Sequence, residues 1–162
     1  GEGAQPGRPA AERATAPGRR LEVGGVVVAL PAEVEDDRRA GCEDVTGFEL
    51  WQPAAREACH VLLAEADAVR GGTMLELGCG LGALGIFGAK LGAAHVLLTD
   101  KEPTVLAAAR TNAAANGTSA RCDFAAVDFA RGRLPFRPGA FAVAAASDVL
   151  FLDRLAAPLL EA

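Results

Sequence analysis

Two carboxylates and a run of glycines are the residues here whose types and spacing could do chemistry. Glu76-Leu77-Gly78-Cys79-Gly80-Leu81-Gly82 sets an acid two residues before three alternating glycines, and Asp100 stands further on. Glycine admits backbone angles closed to other residues and lets the main chain approach a ligand. Gly80-x-Gly82-x-x-Gly85 also satisfies the dinucleotide template, with Asp100 near the distance at which an acid grips a ribose. The chemistry is recognition of a nucleotide-type ligand over a strand–turn–helix junction. Three alternatives stand: a dinucleotide, another nucleotide-type ligand, or a glycine turn with no ligand. The acid tells against the first, because a carboxylate inside the strand repels a pyrophosphate.

Such residues need a strand, a tight turn and a helix to carry them. Thr73–Leu77 is a short apolar run bounded by glycines, which predicts a buried strand. Alanine-rich Ala83–Leu91 predicts the helix. Gly85, Gly88 and Gly92, spaced by three and four, predict a helix face lying close against a sheet. His95–Thr99 reads as a second strand ending at Asp100, and Pro103 opens a helix over Thr104–Asn116 that Gly117 terminates. Cys122–Val127 and Phe141–Ala146 follow as strands around a loop at Leu134–Ala140, with a last helix at Asp153–Glu161. Upstream, Leu21–Leu30 reads as a β-hairpin or bulged strand turning at Gly24-Gly25, and Pro53 opens a helix to about Ala68. Strands alternating with helices predict an α/β fold: a doubly wound, Rossmann-like parallel sheet with ligand over the strand ends.

Composition narrows the function. The 162 residues suit one domain, with residues 1–20 a disordered tail or linker and 21–162 the folded part. The chain begins with Gly, so its true start is not visible. Net charge is −5, and −7 once the Arg-rich first twenty residues are set aside, leaving 12 basic and 19 acidic residues. An acidic body argues against a nucleic-acid backbone as partner, and no apolar run reaches membrane-spanning length. Six acids between Glu33 and Asp44 read as a solvated loop, or else as a rim for a basic protein surface. Cys42, Cys59, Cys79 and Cys122 lack C-x-x-C spacing, and His60 and His95 do not complete a zinc set. Free thiols fit a reducing compartment, the cytoplasm or also the nucleus.

The acid followed by alternating glycines resembles motif I of S-adenosylmethionine-dependent methyltransferases. From Thr46 to Phe151 the chain resembles the seven-strand protein lysine methyltransferases of the "methyltransferase 16" family. Thr46-Gly47 followed by Trp51-Gln52-Pro53-Ala54-Ala55 is similar to that family's leading segment, whose tryptophan contacts the cofactor. Leu98-Thr99-Asp100, with Lys101 beside it, matches the ribose-binding strand end, and Asn112 and Asn116 match two asparagines of the next helix. Asp128-Phe129 falls where an aromatic residue stacks beside the adenine, and Ser147 stands where a small residue lines the cofactor. Asp148-Val149-Leu150-Phe151 is similar to the family's acid followed by Tyr or Phe three residues on.

The resemblance implies that Trp51, Glu76, Gly78, Cys79, Gly80, Gly82, Asp100, Lys101, Asp128, Phe129 and Ser147 bind S-adenosylmethionine. It implies that Asp148 orients a substrate lysine and that Phe151 lines its channel. Burial beside a sulfonium would favour the neutral amine, so no general base is required. The family's sheet has seven strands ordered three-two-one-four-five-seven-six. The resemblance covers the cofactor half, which implies either a fragment or a shortened, inactive relative. The alternatives to a lysine methyltransferase are one acting on a small molecule or another protein side chain, and a non-catalytic interaction module.

Overall fold

The computed structural model describes residues 20–31, 47, 49–131 and 134–149. The acidic run at 33–44, Phe151 and the expected helix at 153–161 lie outside the described residues. The hairpin is present as β1 (Arg20–Val23) and β2 (Val26–Ala29), antiparallel about Gly24-Gly25. Helix α1 (Gln52–Ala64) carries Pro53 in its first turn, and Glu65 interrupts it before the single turn α2 (Ala66–Val69). Then come β3 (Thr73–Leu77), α3 (Ala83–Leu91), β4 (His95–Asp100) and α4 (Pro103–Ala115). Strands β5 (Cys122–Ala126) and β6 (Val143–Ala146) complete the sheet.

The four later strands are parallel in the order β5-β4-β3-β6. Chain order moves outward from β3 through β4 to β5, then returns to the other side of β3. That reversal leaves a crevice beyond the carboxyl ends of β3 and β6, where open α/β sheets bind ligands. The architecture is the Rossmann-like α/β fold expected from the sequence.

Alternation along the strands separates two apolar layers. Met74, Val96, Leu98 and Cys122 face the helices, packing with Ile86, Phe87, Leu106 and Ala109 into the main core. Leu75 and Leu77 face the other way, onto Leu134 and partly buried Phe129, Phe136 and Phe141 from the β5–β6 connection. Phe141 therefore packs edge-on to Phe136, ring centroids 5.4 Å apart, and β6 begins at Val143 instead.

Leu21, Val23, Val28 and Leu30 are all buried in the main core, each stabilising by about 1.5–3 kcal/mol in gross burial. Polar ties hold the hairpin. Asn116 Oδ1 accepts from the Ala29 N–H at 3.0 Å while its Nδ2 donates to the Ala29 carbonyl, and Arg56 donates to the Glu22 carbonyl at 2.8 Å. The hairpin thus packs into the same core as the sheet.

Candidate functional site

The turn after β3 is fixed from three sides. The Cys79 N–H donates to the Thr99 carbonyl at 2.8 Å, and Thr99 Oγ1 donates to the Glu76 carbonyl at 2.7 Å. Buried Asn112 donates from α4 to the Leu81 carbonyl at 2.9 Å. Gly78 and Gly80 take φ of +65° and +51°, angles that disfavour any side chain. Space is equally short: a Cβ on Gly80 would lie 3.1 Å from the Gly47 carbonyl oxygen, and one on Gly78 would lie 2.7 Å from Val149 Cγ1.

A small cleft, open to solvent, lies against this turn. Trp51, Glu76, Cys79, Gly80 and Ser147, all expected from the sequence, line it together with Glu49, Leu50, Ala55, Leu81, Ala83 and Leu84. Residues before α1, the glycine turn, the start of α3 and the end of β6 therefore meet at the crevice the topology predicts. Trp51 is half exposed there. The aliphatic wall of Leu50, Leu81 and Leu84 was not singled out from sequence; its signal, apolar residues flanking the motif, also fits core positions.

Other expected residues sit elsewhere. Gly82 begins α3, and a Cβ there would meet Leu98 Cδ2 at 3.1 Å and Ala109 at 3.2 Å, so it serves core packing. Gly92 does not extend the helix face; it caps α3 in the left-handed conformation. Asp128 Oδ1 accepts from the Ala130 N–H at 3.0 Å, and its Oδ2 pairs with Arg131 Nε at 2.9 Å. Phe129 lies in the second apolar layer, 3.9 Å from where a Gly78 Cβ would be. Lys101 is exposed beside Asp100. Phe151 lies outside the described residues.

Asp100 ends β4 buried, with Oδ2 accepting from the Gly80 N–H and Oδ1 from the Glu102 N–H, each at 3.0 Å. Burial raises its pKa, opposed by those two N–H groups and by the charge of Lys101. Its carboxylate thus braces the glycine turn, and acceptor capacity remains on it for a ligand hydroxyl. Asp100→Ala is expected to weaken S-adenosylmethionine binding about a hundredfold by calorimetry. Undiminished affinity would confine Asp100 to bracing the turn.

Asp148 follows Ser147, exposed, at φ +57°, the one non-glycine residue with positive φ among those described. This kink carries buried Val149 back over Gly78. Such backbone gathers at functional sites when the surroundings hold it in place. Buried Cys59, Cys79 and Cys122 are free thiols, and burial pushes Cys59 up to about 12, which makes it a poor nucleophile.

Residues 74–160, more than half of the chain, match the family described as "Methyltransferase domain". The chain belongs to that family. Its cofactor is S-adenosylmethionine. The donor set fits such a ligand: Glu76 and Gly80 line the cleft, and a second carboxylate, Asp100, stands behind the turn against the Gly80 N–H. Among similar proteins is a ribosomal protein L11 methyltransferase of Polynucleobacter necessarius, 37% identical over 104 residues, 61% of this chain and 32% of that protein. Another, from Dechloromonas aromatica, is 50% identical over 48 residues, 30% of this chain and 16% of its own length. The matched segments thus span about a third or less of these relatives. Among solved structures, protein arginine methyltransferase 10 of Arabidopsis thaliana superposes with a TM-score of 0.48 at 21% identity, covering 57% of this chain and 26% of that one. Among the described residues no helix is long and apolar enough to cross a membrane.

Proposed function

We propose that this chain is the cofactor-binding part of a cytoplasmic methyltransferase of the methyltransferase 16 type, acting on lysine side chains of a protein. The observation that carries this reading is the placement of Asp148: exposed, in left-handed backbone, one residue beyond Ser147 of the cleft wall. S-adenosylmethionine, when bound, supplies an electrophilic methyl group. Trp51, Glu76, Cys79, Gly80 and Ser147 hold it, with Asp100 beneath the turn. In the same reading Gly78 and Gly82 shape the turn, Lys101 flanks the ribose-binding strand end, and Asp128 and Phe129 stand beside the adenine. Asp148 accepts a hydrogen bond from the incoming amine and so fixes its lone pair, the step in which positioning matters most.

A net charge of −5 suits a basic, lysine-bearing partner better than a nucleic-acid backbone. The relatives named for ribosomal protein L11 support a protein acceptor, and a ribosomal protein is the second reading of its identity.

Asp148→Ala is expected to lower methylation at least a hundredfold while cofactor affinity changes only a few-fold. Equal losses in both would assign Asp148 to the cofactor site. Extract incubated with methyl-labelled cofactor and the protein should show label in one or a few proteins, recovered as methyl-lysine after hydrolysis. Label confined to nucleic acid or small metabolites would rule out the protein acceptor.

A further inference from the structure

Glu76 is 3% exposed and lies at the floor of the cleft. Its Oε2 accepts one hydrogen bond, from the Gly85 N–H at 2.9 Å, and Oε1 has no hydrogen-bond partner among the described residues. Among the described residues, the surrounding elements bring it no cation. Beyond the turn β4 ends in Asp100, a second acid; α1 contributes Cys59, the turn Cys79 and β5 Cys122. Strand β6 sets Ala145 opposite it. Lys90 of α3 is exposed in that helix's last turn, and Arg56 of α1 is spent on the Glu22 carbonyl at 2.8 Å. A buried carboxylate with a single donor and no counter-ion is costly, and the neutral acid is the cheaper occupant. Burial, with Asp100 adding to it, raises Glu76 to about 8 against the opposing Gly85 N–H.

We propose that Glu76 recognises cofactor charge by proton exchange: it is the neutral acid in the free protein and releases its proton to solvent when the cationic methionine end of the cofactor enters the cleft. The inference rests on the cofactor assignment and on Glu76 belonging to its site. The carboxyl O–H breaks, the proton goes to buffer, and the carboxylate left behind faces a ligand bearing both a sulfonium and an ammonium. After methyl transfer the product keeps its ammonium but has an uncharged sulfur. Glu76 therefore recovers part of its proton, and the site holds the product less firmly than the cofactor. A permanently ionised or permanently neutral residue would lack this pH-dependent preference.

The test is calorimetry of the whole chain with S-adenosylmethionine and with S-adenosylhomocysteine, in buffers of different ionisation enthalpy. At pH 7 we expect roughly 0.5–1 proton released per S-adenosylmethionine bound and distinctly less with S-adenosylhomocysteine. The affinity ratio of the two should rise several-fold from pH 6 to pH 8. Glu76→Gln should bind without that proton release and with a flat ratio. A variant-free check is the infrared carbonyl band of a protonated buried carboxyl in ¹³C-glutamate-labelled protein, present at pH 7 and lost when S-adenosylmethionine is added. Cofactor binding with no proton release, or with the same release in Glu76→Gln, would overturn the inference and leave the cofactor assignment standing, as would absence of the band. Failure of both ligands to bind would overturn the cofactor assignment and the inference with it.

Discussion

Replacing Glu76 by glutamine is expected to remove a large part of the pH dependence of folding stability. In the folded chain Glu76 titrates near 8 because burial disfavours its charge, whereas its ordinary value is 4.5. Between those values the unfolded chain has lost the proton and the folded chain has kept it. Stability therefore falls as pH rises, at about 1.4 kcal/mol per pH unit. It is fully present below the unfolded value and lost once pH passes the folded one. Across the window the loss is on the order of 4 kcal/mol, comparable with a large fraction of a domain's net stability. Glutamine keeps the shape and an acceptor for the Gly85 N–H but cannot ionise. Urea unfolding of both proteins from pH 4.5 to pH 8.5 should give a difference that grows in the variant's favour up to about pH 8 and then levels. Cys59, Cys79, Cys122 and Asp100 are common to both proteins, so their direct titrations largely cancel. Parallel profiles would show that Glu76 is ionised in the folded chain, with a counter-charge not seen among the described residues.

The sequence revealed the frame of this fold wherever glycine and proline punctuate it. Strand β3 and helix α3 have the boundaries expected, because Gly71-Gly72, the 78–82 glycines and Gly92 leave little freedom. Helix α1 was expected to run to about Ala68 but ends at Ala64, since Glu65 leaves helical geometry at φ −98° and ψ 23°. No Gly or Pro marks that break. At the site, the same alternation that buries Met74 also turns Glu76 toward α3, so its burial was readable from strand periodicity. The competition for Asp128 was not readable, because Arg131 three residues on suits an ion pair and an exposed surface equally well. The positive φ of Asp148 was also hidden, since aspartate adopts ordinary backbone almost everywhere and only the seating of Val149 on Gly78 demands the kink. Asn112 and Asn116 carry no signal in the sequence beyond the family resemblance. Their work is structural, one tying α4 to the glycine turn and the other to the hairpin.

Gly85→Ala is expected to destabilise the chain by about 2–3 kcal/mol, although alanine favours a helix over glycine by about 1 kcal/mol. The reason is the close approach of α3 to the sheet. A Cβ at Gly85 would lie 2.6 Å from Glu76 Oε2 and 2.8 Å from both Cγ and Cδ2 of Leu98. Leu98 is fully buried and Glu76 is fastened to the Gly85 N–H, so neither can move aside without disturbing the other. The added methyl should therefore lengthen that hydrogen bond and tilt the first turn of α3, on which Ala83 and Leu84 line the cleft. Gly88, one turn on in the same face, is the control. Its Cβ would meet Met74 Sδ at 2.5 Å, but methionine is unbranched and readily changes rotamer, so Gly88→Ala should fall within about 1 kcal/mol of the parent. Cofactor affinity should divide in the same way, reduced at least tenfold in Gly85→Ala and nearly unchanged in Gly88→Ala. Equal midpoints in thermal unfolding for the two variants would mean that the sheet and α3 can part to admit a methyl group, and that Glu76 is held less tightly than its single hydrogen bond implies.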